Sequence, residues 1–510
     1  MSETPHGSTN FAPQAKAPLL EEVERFRQRV ERRRVDTSAQ LGESRSRLGQ
    51  FFTPPEAAGL LAGMVRSSRT WRLLDPGAGV GSLTAALVCR WLLETERPDM
   101  DVLAYELDAQ VTPGLRETLD EAVSLASRFG RTLRPLIRQA DFVLEPPERG
   151  ESNVVLMNPP YRKLSVRSAE AIALRDGEEP VRATNLYAAF LLRAIRALPD
   201  DGQLVAITPR SFANGPYFRE LRAELLKRAS FDRIHAFTAR DRVFADADVL
   251  QENMVFSMTT GAKAGEVTLT SSPDASSPAT VRRCDHAQIV HLDDDARFIR
   301  LPLDQAAVEC AEDMLEMPAV LSDLDIAVST GRVVDFRARK YLRASPRVGL
   351  VPLVYPQNIR SGSVNWPLDR RKPQALEVCD ETSSLLLPNE NYVLVKRFTS
   401  REESRRVVAA VSYPSDYPGA SLVAFENHLN VFHHKGRGLD RALAEGLAAY
   451  LNSDLVDACV RQFNGHTQIN ATDLREIRYP SVESLRALEV GGIRRDEVVF
   501  GREEPAEFAA

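Results

Sequence analysis

Residues 153–164 read NVVLMNPPYRKL, and several groups in this stretch could act together: the side-chain carbonyl of Asn158, the main-chain carbonyl of Pro159 and the ring of Tyr161. Prolines cannot donate to a sheet ladder, and each pushes the residue before it into an extended conformation. The apolar run Val154–Met157 must therefore end as a stiff corner, with Pro159 and Pro160 holding the acceptors in place. Two such acceptors suit a planar amino or amide nitrogen whose lone pair is delocalised. Hydrogen bonds to both of its hydrogens draw the nitrogen toward a tetrahedral, reactive shape, and acceptors already in place leave little reorganisation for the transition state. Tyr161 adds a face on which a base could stack, worth roughly 1–3 kcal/mol.

A donor for that nitrogen is suggested by the upstream stretch WRLLDPGAGVGSLTAAL. An apolar strand candidate runs into Asp75, Gly77, Gly79 and Gly81, and a helix follows. Glycines let the backbone turn tightly and approach a ligand, and a helix N-terminus offers free N–H groups. Glu106 closes the next strand candidate, DVLAYE, 25 positions past Gly81, where a carboxylate accepts from ribose hydroxyls. The pattern is GxGxG rather than the GxGxxG of dinucleotide sites, and no Gly-Lys-Ser or Gly-Lys-Thr occurs, which disfavours a phosphate cradle. A ligand with ribose and adenine but no phosphate fits, and S-adenosylmethionine is the common one. Thiolate chemistry is not indicated, because none of the five cysteines follows a proline.

The elements that must position these residues follow from periodicity. Strand candidates WRLL, DVLAYE, NVVLM, QLVAIT, RIHAF and NMVFSM alternate with helices over 83–93, 186–198 and 217–227. Such alternation implies a largely parallel sheet with helices on both faces. In LGQFFTPPEAAGLLAGMV, Thr53 is placed to cap a helix that has proline just inside it. Residues 19–34 alternate apolar and charged positions at helical spacing.

A chain of 510 residues suggests two domains. The expected division is a disordered N-terminus over 1–18, a catalytic domain over 19–265, a linker or surface hairpin over 266–285, a mixed α and β domain over 286–485 and a tail over 486–510. No long apolar run and no signal peptide is seen, so a cytoplasmic, membrane-free protein is expected. The scattered cysteines, without a CxxC pair, argue against structural zinc, and no metal is expected.

These residues together resemble the γ-class, TaqI-like amino methyltransferases of DNA found in restriction-modification systems. The order matches: FFTPP, DPGAGVG, an acidic residue at Glu106, ADF at 140–142, NPPY, then a C-terminal recognition region. STGRVVDFR and FNGHTQINATDLREIRYPS are similar to the PstI-type subgroup. The resemblance implies a class I S-adenosylmethionine-dependent methyltransferase fold, a Rossmann-like mixed sheet, with a C-terminal α+β target-recognition domain. It implies methylation of adenine N6 in duplex DNA, with Thr53 near the methionine part of the cofactor and Asp75, Gly77 and Gly79 lining it. Glu106 would take the ribose, Asp141 and Phe142 the cofactor adenine, Asn158 to Tyr161 the target base, and Phe244 its far side.

A base inside a duplex must be flipped out to reach such a pocket, and backbone contacts and stacking must offset that cost. The net charge of −6 does not announce a nucleic-acid binder, but residues 332–347 carry six Arg or Lys against one Asp, and 396–406 carry five against two Glu. What matters for nucleic acid is the local footprint. Arg332, Arg337, Arg339, Lys340, Lys396 and Arg397 are the candidate phosphate contacts. Asn427, His428, His466, Gln468 and Asn470 could read base edges or close a polar turn. Two rivals share these motifs: an amino methyltransferase acting on RNA or on a protein glutamine, and a non-enzymatic specificity subunit. No nuclease constellation is evident, so a cognate endonuclease is expected as a separate protein.

Overall fold

The computed structural model describes residues 13–42, 52–68, 70–94, 98–177, 179–238, 253–291, 294–360, 362–368, 372–399, 403–464 and 468–488. It divides into two units, Met1–Val290 and His291–Ala510.

The first unit is built on a nine-stranded sheet: β1 (Trp71–Asp75), β2 (Met100–Tyr105), β3 (Leu133–Arg138), β4 (Val154–Met157), β5 (Gln203–Pro209), β6 (Ala229–Phe237), β7 (Asn253–Thr260), β8 (Glu266–Ser272) and β9 (Thr280–Asp285). Their spatial order is β3-β2-β1-β4-β5-β7-β6-β8-β9. The first five run parallel, and β7 is antiparallel to both β5 and β6. This is the class I methyltransferase sheet. The helices of this unit are α1 (Pro13–Leu41), α2 (Pro55–Met64), α3 (Ser82–Leu93), α4 (Thr112–Arg128), α5 (Ala169–Arg175), α6 (Leu186–Ala197) and α7 (Arg219–Arg228). Strand order reverses between β1 and β4, and in open parallel sheets ligands sit at the carboxyl ends of the strands beside that reversal.

The structure sharpens the sequence reading at three places. Helix α1 begins at Pro13, inside the stretch expected to lack order; Val23, Phe26 and Val30 are buried in the core of the sheet unit. Its Arg29 and Arg33 pair with Glu121 of α4 at 2.7 Å each. Of the two readings of residues 266–285, linker or surface hairpin, the structure shows the hairpin β8–β9, which extends the sheet through a parallel β6–β8 pairing. Its composition is polar because an edge hairpin needs few anchors, and the buried Val267, Leu269 and Cys284 suffice. The unit boundary accordingly falls after Val290. Strand β3 carries Pro135 in its middle and escaped notice; it lies at the sheet edge, where a missing N–H costs no ladder bond.

The second unit holds α8 (Gln305–Glu316), β10 (Ala327–Thr330), the short helix α9 (Asp335–Ala338), β11 (Leu342–Arg343), β12 (Leu350–Val354), β13 (Ile359–Arg360), β14 (Ser363–Val364), β15 (Ala375–Glu377), β16 (Leu387–Pro388), β17 (Tyr392–Lys396), β18 (Ala409–Ser412), β19 (Leu422–Phe425) and β20 (Leu429–His433). Helices α10 (Arg441–Leu451), α11 (Asp454–Phe463), α12 (Ala471–Arg475) and α13 (Val482–Ala487) follow. The strands form a six-stranded sheet, β10-β20-β17-β18-β14-β13, and a five-stranded one, β11-β15-β12-β19-β16. Val393, Val395, Ala409 and Phe432 of the larger sheet share a core with Leu443, Leu447 and Val456 of the helices. Helix α13 occupies residues 482–487, so the start of the expected tail is helical, and residues 489–510 lie outside the described ones.

Candidate active site

A cleft of about 810 Å³, counted with its open mouth, lies at the carboxyl ends of β1 to β4. Gly77, Gly79, Glu106, Asp141, Phe142, Asn158 and Pro160 line it, so motifs spread over more than eighty positions converge on one space. Gly79 has φ +55°, a conformation that favours glycine, and a Cβ there would stand 3.0 Å from the ring of Phe52. Phe52 itself lines the cleft. The second phenylalanine of FFTPP thus caps the glycine loop, a role the sequence did not assign to it.

Glu106 is buried, with Oε2 accepting from the Gly79 N–H and Oε1 from the Asp108 N–H, both at 2.8 Å. Burial raises its pKa, and these main-chain donors oppose the shift. Each carboxylate oxygen retains further acceptor capacity, so hydroxyls of a sugar can be added to the backbone donors. Asp141 Oδ1 accepts from Val143 and Leu144, folding the chain so that Phe142 lies inward, edge-on to Tyr105 at 5.4 Å and 5.1 Å from the Phe190 ring. Four aromatic rings (Phe52, Tyr105, Phe142 and Phe190) therefore wall a cleft whose one cation among the described lining residues, Arg162, is bound to Glu170 at 3.0 Å. Burial works against ionisation of Glu170, but its Ser168, main-chain and Arg162 partners hold its pKa below the ordinary value. A buried carboxylate with acceptor capacity to spare, aromatic walls and no free cation among the described lining residues fit a nucleoside rather than a phosphate ester. That is the chemistry of S-adenosylmethionine. Tyr105, Arg162, Glu170, Leu186 and Phe190 are not singled out by the sequence; Tyr105 comes with the end of β2 and Arg162 with the corner after β4, while α5 and α6 bring Glu170, Leu186 and Phe190 here.

Two expected cofactor residues stand behind the cleft. Asp75 is fully buried and accepts from the Thr84 hydroxyl at 2.7 Å, tying the end of β1 to α3; burial pushes its carboxyl up to about 7. Thr53 is also buried and does not cap α2, because that helix starts at Pro55 and its cap position is Pro54. One residue further out, its hydroxyl is free to accept from Nδ2 of Asn158 at 3.0 Å.

Tyr161 is half-buried, its ring edge-on to Tyr187 at 6.1 Å, and Tyr187 in turn stacks on Phe218 at 5.3 Å. Its hydroxyl donates to the Ile207 carbonyl across a long 3.4 Å, and burial pushes the phenol above its ordinary pKa. Phe244 lies outside the described residues, as does His466.

Residues 118–244 match the family model described as Eco57I restriction-modification methylase. The chain is 38% identical over 452 residues to the type II methyltransferase M.PstI of Providencia stuartii, covering 86% of this chain and 88% of that protein. The chain belongs to the restriction-modification methyltransferases. It is also 37% identical over 463 residues to the type II methyltransferase M.BsuBI of Bacillus subtilis, covering 88% and 90% of the two chains. Among solved structures, the type IIL restriction-modification enzyme MmeI in complex with DNA shares the fold, with a TM-score of 0.50 at 11% identity over 90% of this chain and 67% of that one.

In the second unit of this methyltransferase the basic candidates divide. Arg337, Arg339 and Lys340 are exposed on α9 and the turn after it. Arg332 is exposed but donates to the carbonyls of Ser384 and Leu386. Arg397 is half-buried and committed to the protein, donating to the Asn427 carbonyl and to Oδ1 of Asn470. Lys396 ends β17 beside it. Among the described residues no helix is long and apolar enough to cross a membrane, and no group of His, Cys, Asp and Glu could hold a metal ion.

Proposed function

We propose that the protein is a site-specific DNA methyltransferase that modifies the N6 amino group of an adenine flipped out of duplex DNA, with S-adenosylmethionine as cofactor. The observation that carries this reading is the anchoring of Asn158 by Thr53 at the edge of an aromatic, nucleoside-shaped cleft. Its NH2 group donates to Thr53, which orients the amide, and an amide carbonyl oxygen carries two lone pairs with which to accept from an exocyclic amino group. The Pro159 carbonyl supplies the second acceptor, and the two prolines keep both in place before substrate arrives. The amino nitrogen then has its lone pair available rather than delocalised into the ring, and Tyr161 holds the base by its face. When bound, S-adenosylmethionine supplies the electrophilic methyl group.

Membership in a restriction-modification family supports duplex DNA as substrate and makes a separate cognate endonuclease the natural partner. The deciding experiment is expression in a host free of DNA methylation, followed by modification-sensitive sequencing of its DNA. N6-methyladenine within one sequence is expected. Modified cytosine, or no modified base, would reject the reading.

A further inference from the structure

The sequence left five polar residues of the second unit undivided between reading bases and closing turns. Three chain segments meet at one end of the six-stranded sheet, where β10 ends, β20 begins and β17 ends; Thr330 pairs with Asn430, and Lys396 with Leu429. Arg397 binds the segments together through Asn427 and Asn470. The side chain of Asn470 also caps α12, so Asn470 closes a turn. His428 is different. It sits in the reverse turn Glu426–Leu429, closed by the Leu429 N–H to the Glu426 carbonyl at 3.0 Å, and its side chain is 45% exposed. Nδ1 lies 2.6 Å from Oε1 of Glu426, a carboxylate that is 1% exposed, while the other oxygen of Glu426 accepts the His428 main-chain N–H. One edge of the ring therefore lies against a buried carboxylate, and Nε2 on the other edge can meet an outside partner. The exposed ring of Phe398 stands edge-on to it at 4.8 Å.

We propose that His428, with Phe398 beside it, is a base-reading contact of the DNA-binding face. This rests on the reading of the chain as a DNA methyltransferase. Charge complementarity selects the occupant. Val333 bridges to Glu426 of the same turn, and the chain that leaves it carries the exposed Arg337, Arg339 and Lys340, with Lys396 ending the neighbouring strand. An imidazole set against a buried carboxylate and an exposed aromatic ring, in a unit whose adjoining segments carry exposed cations, suit a groove edge between two phosphate backbones, where cations fix register and the polar side chain reads sequence.

The test uses the full chain and begins by reading the wild-type recognition sequence from methylated host DNA; failure there rejects the DNA reading itself. Once that sequence is known, kcat/KM is measured on duplexes bearing it and on each single-base variant, with cofactor binding and thermal melting as controls. H428A is expected to lower kcat/KM on the recognition sequence on the order of tenfold and to narrow discrimination at one base position, with cofactor affinity unchanged. A uniform loss on all duplexes, or no loss, would overturn the proposal. If H428A melts early because it strands the buried Glu426, the double variant E426Q/H428A decides by the same readout.

Discussion

Asn158 donates from Nδ2 to Oγ1 of Thr53 at 3.0 Å, across 105 positions of chain. The bond joins the loop before α2 to the corner after β4, and it determines which end of the amide faces a substrate. Replacing Asn158 by Ala is expected to lower kcat by about a hundredfold or more, since it removes an acceptor aimed at the reacting nitrogen. Cofactor affinity, measured by calorimetry, should change little. T53A should lower kcat by about two- to tenfold, the worth of one neutral hydrogen bond, and T53S should restore it. Equal activity in T53A and wild type would show that the amide needs no anchor.

Tyr161 separates ring from hydroxyl. Its 3.4 Å bond to the Ile207 carbonyl is too long to matter much, whereas its ring is held by Tyr187 and so preorganised. Y161F is expected to keep kcat/KM within about threefold of wild type. Y161A should lose roughly 1–3 kcal/mol of stacking, about five- to a hundredfold in kcat/KM. A phenylalanine variant as weak as the alanine one would mean that the hydroxyl carries the effect.

The Asp75 carboxyl gives stability a pH signature. Burial holds its folded pKa at about 7 against an ordinary 3.8. Between those values the unfolded chain has released this proton while the folded chain keeps it, so stability contributed here falls as pH rises from about 4 to 7 and is level above. D75N, which preserves an oxygen for the Thr84 hydroxyl, cannot titrate. Relative to wild type, D75N should gain stability across that window, on the order of a few kcal/mol. Denaturant titrations at pH 4.5 and 7.5 would reveal this, and a pH-independent difference would show that Asp75 is charged in the fold.

Gly446 tests the second unit alone. It faces Leu485 where α10 packs on α13, and a Cβ there would lie 1.6 Å from the Leu485 carbonyl oxygen, a backbone atom that cannot rotate away. G446A should destabilise by about 1–3 kcal/mol or more and lower the melting temperature of this unit by roughly 3–10 °C. Cofactor binding to the first unit, followed at low temperature, is expected to survive. An unchanged melt would mean that the two helices do not pack as described.

The chemistry was legible where it depends on local rules. A strand that ends in Asp-Pro-Gly-Ala-Gly needs glycines because the turn after β1 has a positive φ at Gly79. The Asn-Pro-Pro-Tyr corner is stiff because its prolines are stiff in any fold. Glu106 and Asn158 line the cleft because each follows directly after a parallel strand, and Phe142 because it lies in the turn after β3; a parallel sheet brings such ends together. Local composition left the small, polar run over 266–285 open between a linker and a surface hairpin; the buried Val267, Leu269 and Cys284 make it a sheet edge.

What the sequence by itself determined is the set of strand-turn-helix units and the groups they carry, because backbone sterics and hydrophobic periodicity act within a few residues. What only the tertiary structure decided is which of those groups meet. Thr53 reached Asn158 rather than its own helix, Phe52 came to cover Gly79, Arg162 was taken by Glu170, and Arg397 was spent on the turn that leaves His428 exposed. Side-chain hydrogen bonds reach about 3 Å. Their partners are therefore chosen by strand order and helix register, which no short window of residues contains.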